Sequence, residues 1–384
     1  MKAIIYILLI LSYTIEGKCV YNVLNNCQLL VPAKQVCLVN NLLRNIKMGV
    51  AIKDILEYEE ISLSSLSNKT IAIDSFNMLY QFLASIRQPD GTPLTDTKGN
   101  VTSHLKGLFN RCVYFKRNGI KPIFIFDGIA PKLKEKEREL RAEKRANADK
   151  KFREAQELGL TDDARKYAQG VNRLNEDMIN DSKELIKRFG FPVIQAPSEG
   201  EAQASYMTNN ANVYASASQD FDSLLFGSKY LIRNLSVSNK RKVPGSSMYK
   251  DIPIEFYDLE KNLKDLNINR EELIIISILC GTDFNPGGVK GIGPKKALKL
   301  VKEYRDRHNE LFKTLDWHEY FDYTWVEVLN TFLKMPIDKE VKVEFSDLKK
   351  LDVKEFLMSR DFDETMLERS LNTIKNLNTL DKFF

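Results

Sequence analysis

The chain has 384 residues, 43% hydrophobic and 28% charged, with 18 glycines and 12 prolines. That balance fits a folded protein of one large or two modest domains and excludes collagen, disulfide-stapled miniproteins and disorder. Lysine and arginine number 57 against 52 acids, a formal net charge of +5 that suits an anionic partner, and a mean hydropathy of −0.32 excludes a polytopic membrane protein. Only three histidines occur, His104, His308 and His318, and the five cysteines contain no CxxC pair. A bound metal would therefore need carboxylate ligands.

In chain order, residues 1–47 open with Lys2 and the apolar run AIIYILLIL, a signal-like pattern too short for a membrane span. This segment holds five basic residues and one acid, Glu16, whereas patterned, charged sequence starts at Met48. A mis-set start is the favoured reading, with the chain proper beginning at Met48 and carrying a net charge near +1. From residue 69, short β-rich runs alternate with helical stretches: KTIAID and SFNMLYQFLASI, KPIFIFDG and a long charged helix, FPVIQAP and SEGEAQASYM, NVYASAS and QDFDSLLFG. This alternation predicts an α/β fold with a mostly parallel central sheet flanked by helices. Ligands in such sheets gather beyond the carboxyl ends of the strands. Residues 132–153 carry ten basic and five acidic side chains with almost no apolar periodicity, so this helix cannot bury a face in a core. Such runs are commonly solvated and laced with i,i+4 pairs, but the positive excess directly after Asp127 favours a phosphate-facing arch. A second part is expected from about Ile254, becoming helical through EELIIISILCG, a Gly/Pro-rich turn, PKKALKLVKEY and two amphipathic stretches ending near Lys375.

Asp74 ends IAID, Asp127 ends IFIFD, Glu199 and Glu201 open the helix after VIQAP, and Asp220 and Asp222 follow VYASAS. A single aspartate at a strand end is more often a helix N-cap than a ligand. Four successive strand-end acid sites, two of them doubled at i,i+2, instead place six acids on one sheet edge. Like charges that close raise one another's pKa values and persist where cations offset them. Asp283 in CGTDF is a seventh candidate. Oxygen-only ligation selects magnesium or manganese. Six or more acids exceed the needs of one such ion and point to two sites about 4 Å apart, as used for in-line phosphodiester displacement. Finally, GVKGIGPKKALKL at 288–300 sets Gly291 and Gly293 before a helix whose first turn carries Pro294, Lys295 and Lys296. Free backbone N–H groups and a positive helix end can hold a backbone phosphate there without reading sequence.

The strings IAIDSFNMLYQFL, TSHLKGLF, NGIKPIFIFDG, APSEGEAQASYM, SQDFDSLLFG and GTDFNPGGVKGIGPKKALKL stand in the order of a known family. From Met48 onward the chain resembles a flap endonuclease of archaeal type, in the 5′-nuclease superfamily. The resemblance implies a PIN-like fold with a helical arch and a helix-two-turn-helix. It further implies a two-metal enzyme, an endonuclease and 5′–3′ exonuclease, that cuts DNA near the base of a 5′ flap. The products would be a 5′-phosphate and a 3′-hydroxyl, as required in replication, Okazaki fragment maturation and repair. By position it assigns metal binding to Asp74, Asp127, Glu199, Glu201, Asp220, Asp222 and Asp283, the seven acids already reached from chemistry. Lys134 and Arg141 are implied to act on the scissile phosphate, and seven residues is about two helical turns, so both can face one side. Tyr80 is implied to stack on a base near the cut, although its periodicity alone reads as core, and Arg87 to contact DNA. Gly291, Gly293, Lys295 and Lys296 are implied to hold the downstream duplex, beside a potassium ion bound through backbone carbonyls.

The terminal LNTLDKFF resembles a sliding-clamp-binding tail, with Leu380, Phe383 and Phe384 as plug and aromatic pair and Leu377 where a glutamine is usual. The expected organisation is an extension at 1–47, an N-terminal nuclease region at 48–146 and an arch at 132–175. An internal nuclease region follows at 164–306 with the helix-two-turn-helix at 280–302, then a C-terminal helical region at 307–376 and the tail at 377–384. A cytoplasmic monomer is expected, with no membrane partner and no export by the signal-like segment. The alternatives are a relative that prefers bubbles, nicks or four-way junctions, disfavoured by the short arch, and a catalytically silent junction-binding scaffold recruited by the clamp. Binding alone would not gather acids that repel DNA phosphates.

Overall fold

The computed structural model describes residues 50, 52–171, 173–235, 240–242 and 249–374, all within the compact unit Met48–Phe384. The expectations for residues 1–47 and for the tail with Leu377, Leu380, Phe383 and Phe384 lie outside the described residues. Five strands of the central sheet run parallel. They are β2 (Thr70–Asp74), β3 (Lys121–Phe126), β4 (Val193–Gln195), β5 (Ala215–Ala217) and β6 (Tyr230–Arg233). Two more extend one side through antiparallel pairings, β9 (Ile254–Asp258) against β6 and β1 (Glu59–Ile61) against β9, giving the order β1-β9-β6-β5-β2-β3-β4. A separate ribbon pairs β7 (Lys240–Lys242) with β8 (Tyr249–Asp251). The register sets Asp74 opposite Ile125 and Ile73 opposite Ala217. The chain leaving three neighbouring strands therefore emerges at one edge.

Helices follow the strands as the alternation requires: α1 (Ser75–Ser85) leaves β2, α2 (Ser103–Arg117) precedes β3, α5 (Glu176–Arg188) precedes β4, and α6 (Gly200–Asn210) and the short α7 (Asp222–Leu225) follow β4 and β5. Between β3 and α5 stand the arch helices α3 (Glu135–Glu157) and α4 (Thr161–Ala168). Beyond β9 lie α8 (Leu259–Leu266), α9 (Arg270–Cys280), α10 (Pro294–Glu303), α11 (His308–Thr314), α12 (Trp325–Leu333), α13 (Lys350–Met358) and α14 (Glu364–Asn372). The strand β9 opens the part expected from about Ile254, ahead of its helices. Its polar Glu255 is buried, accepting hydrogen bonds from Lys53 at 2.7 Å, Arg233 at 3.0 Å and the Tyr257 hydroxyl at 2.8 Å. An acid satisfied so fully can occupy an inner strand that its sequence neighbourhood does not advertise.

Two large apolar cores result, with a smaller one of Ile123, Ile125 and Met207 between the sheet and α6. One packs Phe109, Phe115, Phe124 and Phe189 against Val353, Leu357 and Leu367 from the C-terminal helices. The other gathers Val50, Ile52, Tyr257, the apolar run of α9, Trp317 and Val328. Helix α9 is apolar on every side because it is a core helix, and a capping box between Asn269 and Glu272 fixes its start. Among the described residues, no helix is long and apolar enough to cross a membrane.

His104, on α2, is fully buried, with neither ring nitrogen hydrogen-bonded. Burial pushes its pKa down to about 4, with Asp181 and Arg360 acting in opposite senses. The unfolded chain takes up this proton near pH 6.5 and the folded chain does not, so stability falls as pH drops from about 6.5 to 4, by about 3 kcal/mol. Denaturant titrations across this range are expected to show a flatter pH dependence in His104→Leu; identical slopes would contradict the assignment.

Candidate active site

Each acid is placed by the element that carries it. Asp74 ends β2 and also caps α1, accepting the amides of Phe76 at 3.0 Å and Asn77 at 3.2 Å. The cap uses only Oδ1, so it does not stand against a ligand role for this residue. Asp127 follows β3 and accepts the Gly200 amide at 2.7 Å. A Cβ on residue 200 would sit 2.7 Å from that same oxygen, so glycine is what lets the start of α6 dock on Asp127. Glu201 accepts from the Ser223 hydroxyl at 3.3 Å, and Asp220 from the Asn77 side chain at 3.0 Å. Asp222 opens α7 with Oδ1 buried and unpartnered. Asp283 lies three residues beyond α9 and receives both its contacts from the arch.

The acids act on one another as well as on the solvent. Burial, then Asp127 and Asp220, pushes the Asp74 carboxyl up to about 8. Burial and Glu199 push Asp127 up to about 6. Glu201 is driven well above the carboxylate range by burial, Asp222 and Asp74, and Asp222 by burial, Asp283 and Asp220. Asp220 is raised by burial and Asp283. The structure thus brings the acids of four strand ends and Asp283 into one electrostatic cluster.

The arch supplies the opposing charge. A 3-10 turn, Lys132–Lys134, starts it, and the Lys134 ammonium lies 2.5 Å from Glu199 and 3.4 Å from Asp283. Burial opposes its charge, but Glu199 and Asp283 outweigh burial and raise its pKa. Arg141 donates from one terminal nitrogen to both Asp283 oxygens at 2.9 Å. Among the described residues, no three His, Cys, Asp or Glu side chains are arranged as a ready-made metal cage. Lys134 and Arg141 hold several of the oxygens instead. The donor chemistry nonetheless fits hard divalent ions: every candidate donor is an oxygen, burial and neighbouring carboxylates raise these acids' pKa values, and Asp222 Oδ1 has no other partner.

The remaining candidates lie around this centre. Tyr80 is 39% exposed on α1, so the core position suggested by its periodicity is corrected. Arg87 donates to the Gly91 carbonyl at 2.7 Å and braces its own turn. Gly291 has φ 79°, Gly293 caps α10, Pro294 takes its first position, and Lys295 and Lys296 are exposed. Sequence reading missed Asn77 and Gly200, whose signal was their place beside strand-end acids. It also missed Arg233, which donates to the Gln219 carbonyl at 3.0 Å and braces the loop bearing Asp220.

Residues 48–148 match the XPG N-terminal domain family, and residues 190–283 match the XPG I-region. Flap endonuclease 1 of Pyrococcus furiosus is 46% identical over 344 residues, 88% of this chain and 99% of that protein. The chain belongs to the flap endonuclease family. Its relative from Aeropyrum pernix, also a flap endonuclease 1, is 46% identical over 85% of this chain and 94% of its own length. Among solved structures, flap endonuclease-1 from Methanococcus jannaschii matches with TM-score 0.67 and 36% identity, over 87% of this chain and 100% of that one. The catalytic core of Rad2 in complex with DNA substrate shares the fold, with TM-score 0.63 and 24% identity over 85% and 100% of the two chains. The expected PIN-like 5′-nuclease architecture and family are thereby established.

A raised carboxyl pKa makes the folded protein hold protons that the unfolded chain loses near pH 3.8. Stability therefore falls as pH rises from there toward 8. Asp74→Asn keeps a capping acceptor and removes one repelling charge. In chelator at pH 8 it is expected to melt above wild type, and added magnesium is expected to raise the wild-type midpoint more than the variant's. Thermal shift measurements showing a less stable variant in chelator would contradict the electrostatic reading.

Proposed function

We propose that this member of the flap endonuclease family hydrolyses a DNA phosphodiester at the base of a 5′ flap, leaving a 5′-phosphate and a 3′-hydroxyl. One observation carries the reading: buried and half-buried carboxylates from four strand ends and Asp283 cluster at one sheet edge, where Lys134 pairs with Glu199 and Asp283 and Arg141 with Asp283, cations that a phosphate can take over as partners. Asp74, Asp127, Glu199, Glu201, Asp220, Asp222 and Asp283 would hold two magnesium ions, with manganese as a substitute. When bound, such ions lower the pKa of an attacking water and stabilise the leaving oxygen. The protein's own residues do the rest. Lys134 and Arg141 exchange carboxylate oxygens for those of the scissile phosphate, and the planar guanidinium suits a two-point grip. Asn77 and Gly200 hold Asp220 and Asp127 in place.

Around the centre, the exposed Tyr80 ring offers a sequence-tolerant stacking surface for a base, and Arg87 borders the DNA path. The exposed start of α10, with Gly291, Gly293, Lys295 and Lys296, grips a duplex phosphate beside a potassium site. We assign residues 132–175 to the arch, 280–302 to the helix-two-turn-helix, and 377–384, with Leu380, Phe383 and Phe384, to a sliding clamp. The protein would act as an intracellular monomer with both endonuclease and 5′–3′ exonuclease activity in replication and repair. A silent scaffold is disfavoured, because mutually repelling buried acids cost stability that binding alone does not require.

Purified protein with labelled 5′-flap, single-stranded and bubble DNA is expected to cut the flap substrate with magnesium and to leave it intact in chelator. Flap DNA that survives magnesium at protein excess would exclude the enzyme. Asp220→Ala is expected to slow cleavage more than about a hundredfold, beyond the usual effect of outer partners, while flap affinity in gel shift is retained. Equal loss of binding would make Asp220 structural.

A further inference from the structure

We propose that Glu137 is a positioning residue that aims Arg141 at the reacting phosphate. The proposal rests on the role given to Arg141 above. Of the 23 residues of α3, only Glu137 and Ala155 are buried. A buried acid in a helix so rich in charge calls for a partner, and Arg141, one turn on, donates from Nε to Glu137 Oε1 at 2.7 Å. The same guanidinium reaches Asp283 from its terminal nitrogen. Because the group is planar and rigid, fixing its Nε edge on Glu137 fixes where its outer nitrogens point.

Other pairs on this helix differ. Arg153 with Asp149 and Lys150 with Glu154 lie at 2.9 and 4.0 Å, with side chains 36% to 77% exposed, the kind of pair that contributes little. Glu137 instead stands on the docked foot of the arch. Leu133 packs against the second core, and the Lys136 ammonium lies 6.0 Å from the centre of the Phe321 ring. Glu137 thus provides a fixed point from which the guanidinium extends, limiting the rotamers available to a long, flexible side chain. A buried ion pair is a poor means of stabilising a fold, and the Arg141 side chain, 35% exposed, keeps Asp283 as a partner when Glu137 is replaced, so the effect is expected on rate and little on melting.

The test is single-turnover cleavage of labelled 5′-flap DNA at saturating protein, with flap affinity and melting temperature recorded alongside. Glu137→Leu is expected to slow cleavage about tenfold or more, as loss of an orienting partner typically does, with flap affinity and melting little changed. Glu137→Gln, whose amide oxygen still accepts from Nε, is expected to retain most of the rate. Glu137→Asp, which keeps the charge but withdraws it by one methylene, is expected to be slow and remains informative if the leucine variant misfolds. In an Arg141→Ala background, Glu137→Leu is expected to add no further loss. Wild-type rates in both Glu137→Leu and Glu137→Asp, or an independent loss in the Arg141→Ala background, would overturn the role of Glu137 alone. A normal rate in Arg141→Ala would overturn the role of Arg141 and this proposal with it.

Discussion

Carboxylates gathered at the end of a parallel sheet repel one another, and the local structure follows from how that repulsion is contained. The sheet brings them together: in-register β2, β3 and β5 deliver Asp74, Asp127 and the 218–222 loop to one edge. Strand pairing and the apolar faces of α1, α2 and α6 supply the burial that offsets the electrostatic cost. The raised pKa values of Asp74, Asp127, Glu201, Asp220 and Asp222 record the strain that remains. The arch is the other half of the balance. Its body is polar, but its first turns insert Lys134 and Arg141 among the acids.

This arrangement links fold to activity through charge exchange. On the proposed reading, the oxygens that now accept from Lys134 and Arg141 would hold divalent ions, and the released cations would hold a phosphate. Substrate and ions would then replace partners that the protein supplies to itself. Smaller contacts keep the exchange in register: Asn77 on Asp220, the Gly200 amide on Asp127 and Arg233 on the carbonyl before Asp220.

The acid cluster was legible in the sequence because each acid ends a strongly patterned β run, and strand ends converge in a parallel sheet. The arch was legible as a helix without an apolar face. Three features were hidden for physical reasons. Strand β9 contains Glu255, whose burial depends on Lys53 and Arg233, residues 202 and 22 positions away. Tyr80 falls on an apolar repeat yet faces outward, since a helix beside a site need not bury every apolar position. Lys134 sits in a charge run that periodicity assigns to solvent. Only the tertiary approach of Glu199 and Asp283 explains its burial. Pairings between distant polar residues leave no local period to read.

On the proposed reading, arch cations and divalent ions compete for the same carboxylates. Calorimetric titration of magnesium into metal-free protein tests it directly, comparing wild type with Lys134→Met, which keeps the apolar stem and removes the charge. Tighter magnesium binding in the variant is the predicted result, because the ion no longer displaces an ammonium 2.5 Å from Glu199. Unchanged or weaker binding would contradict it.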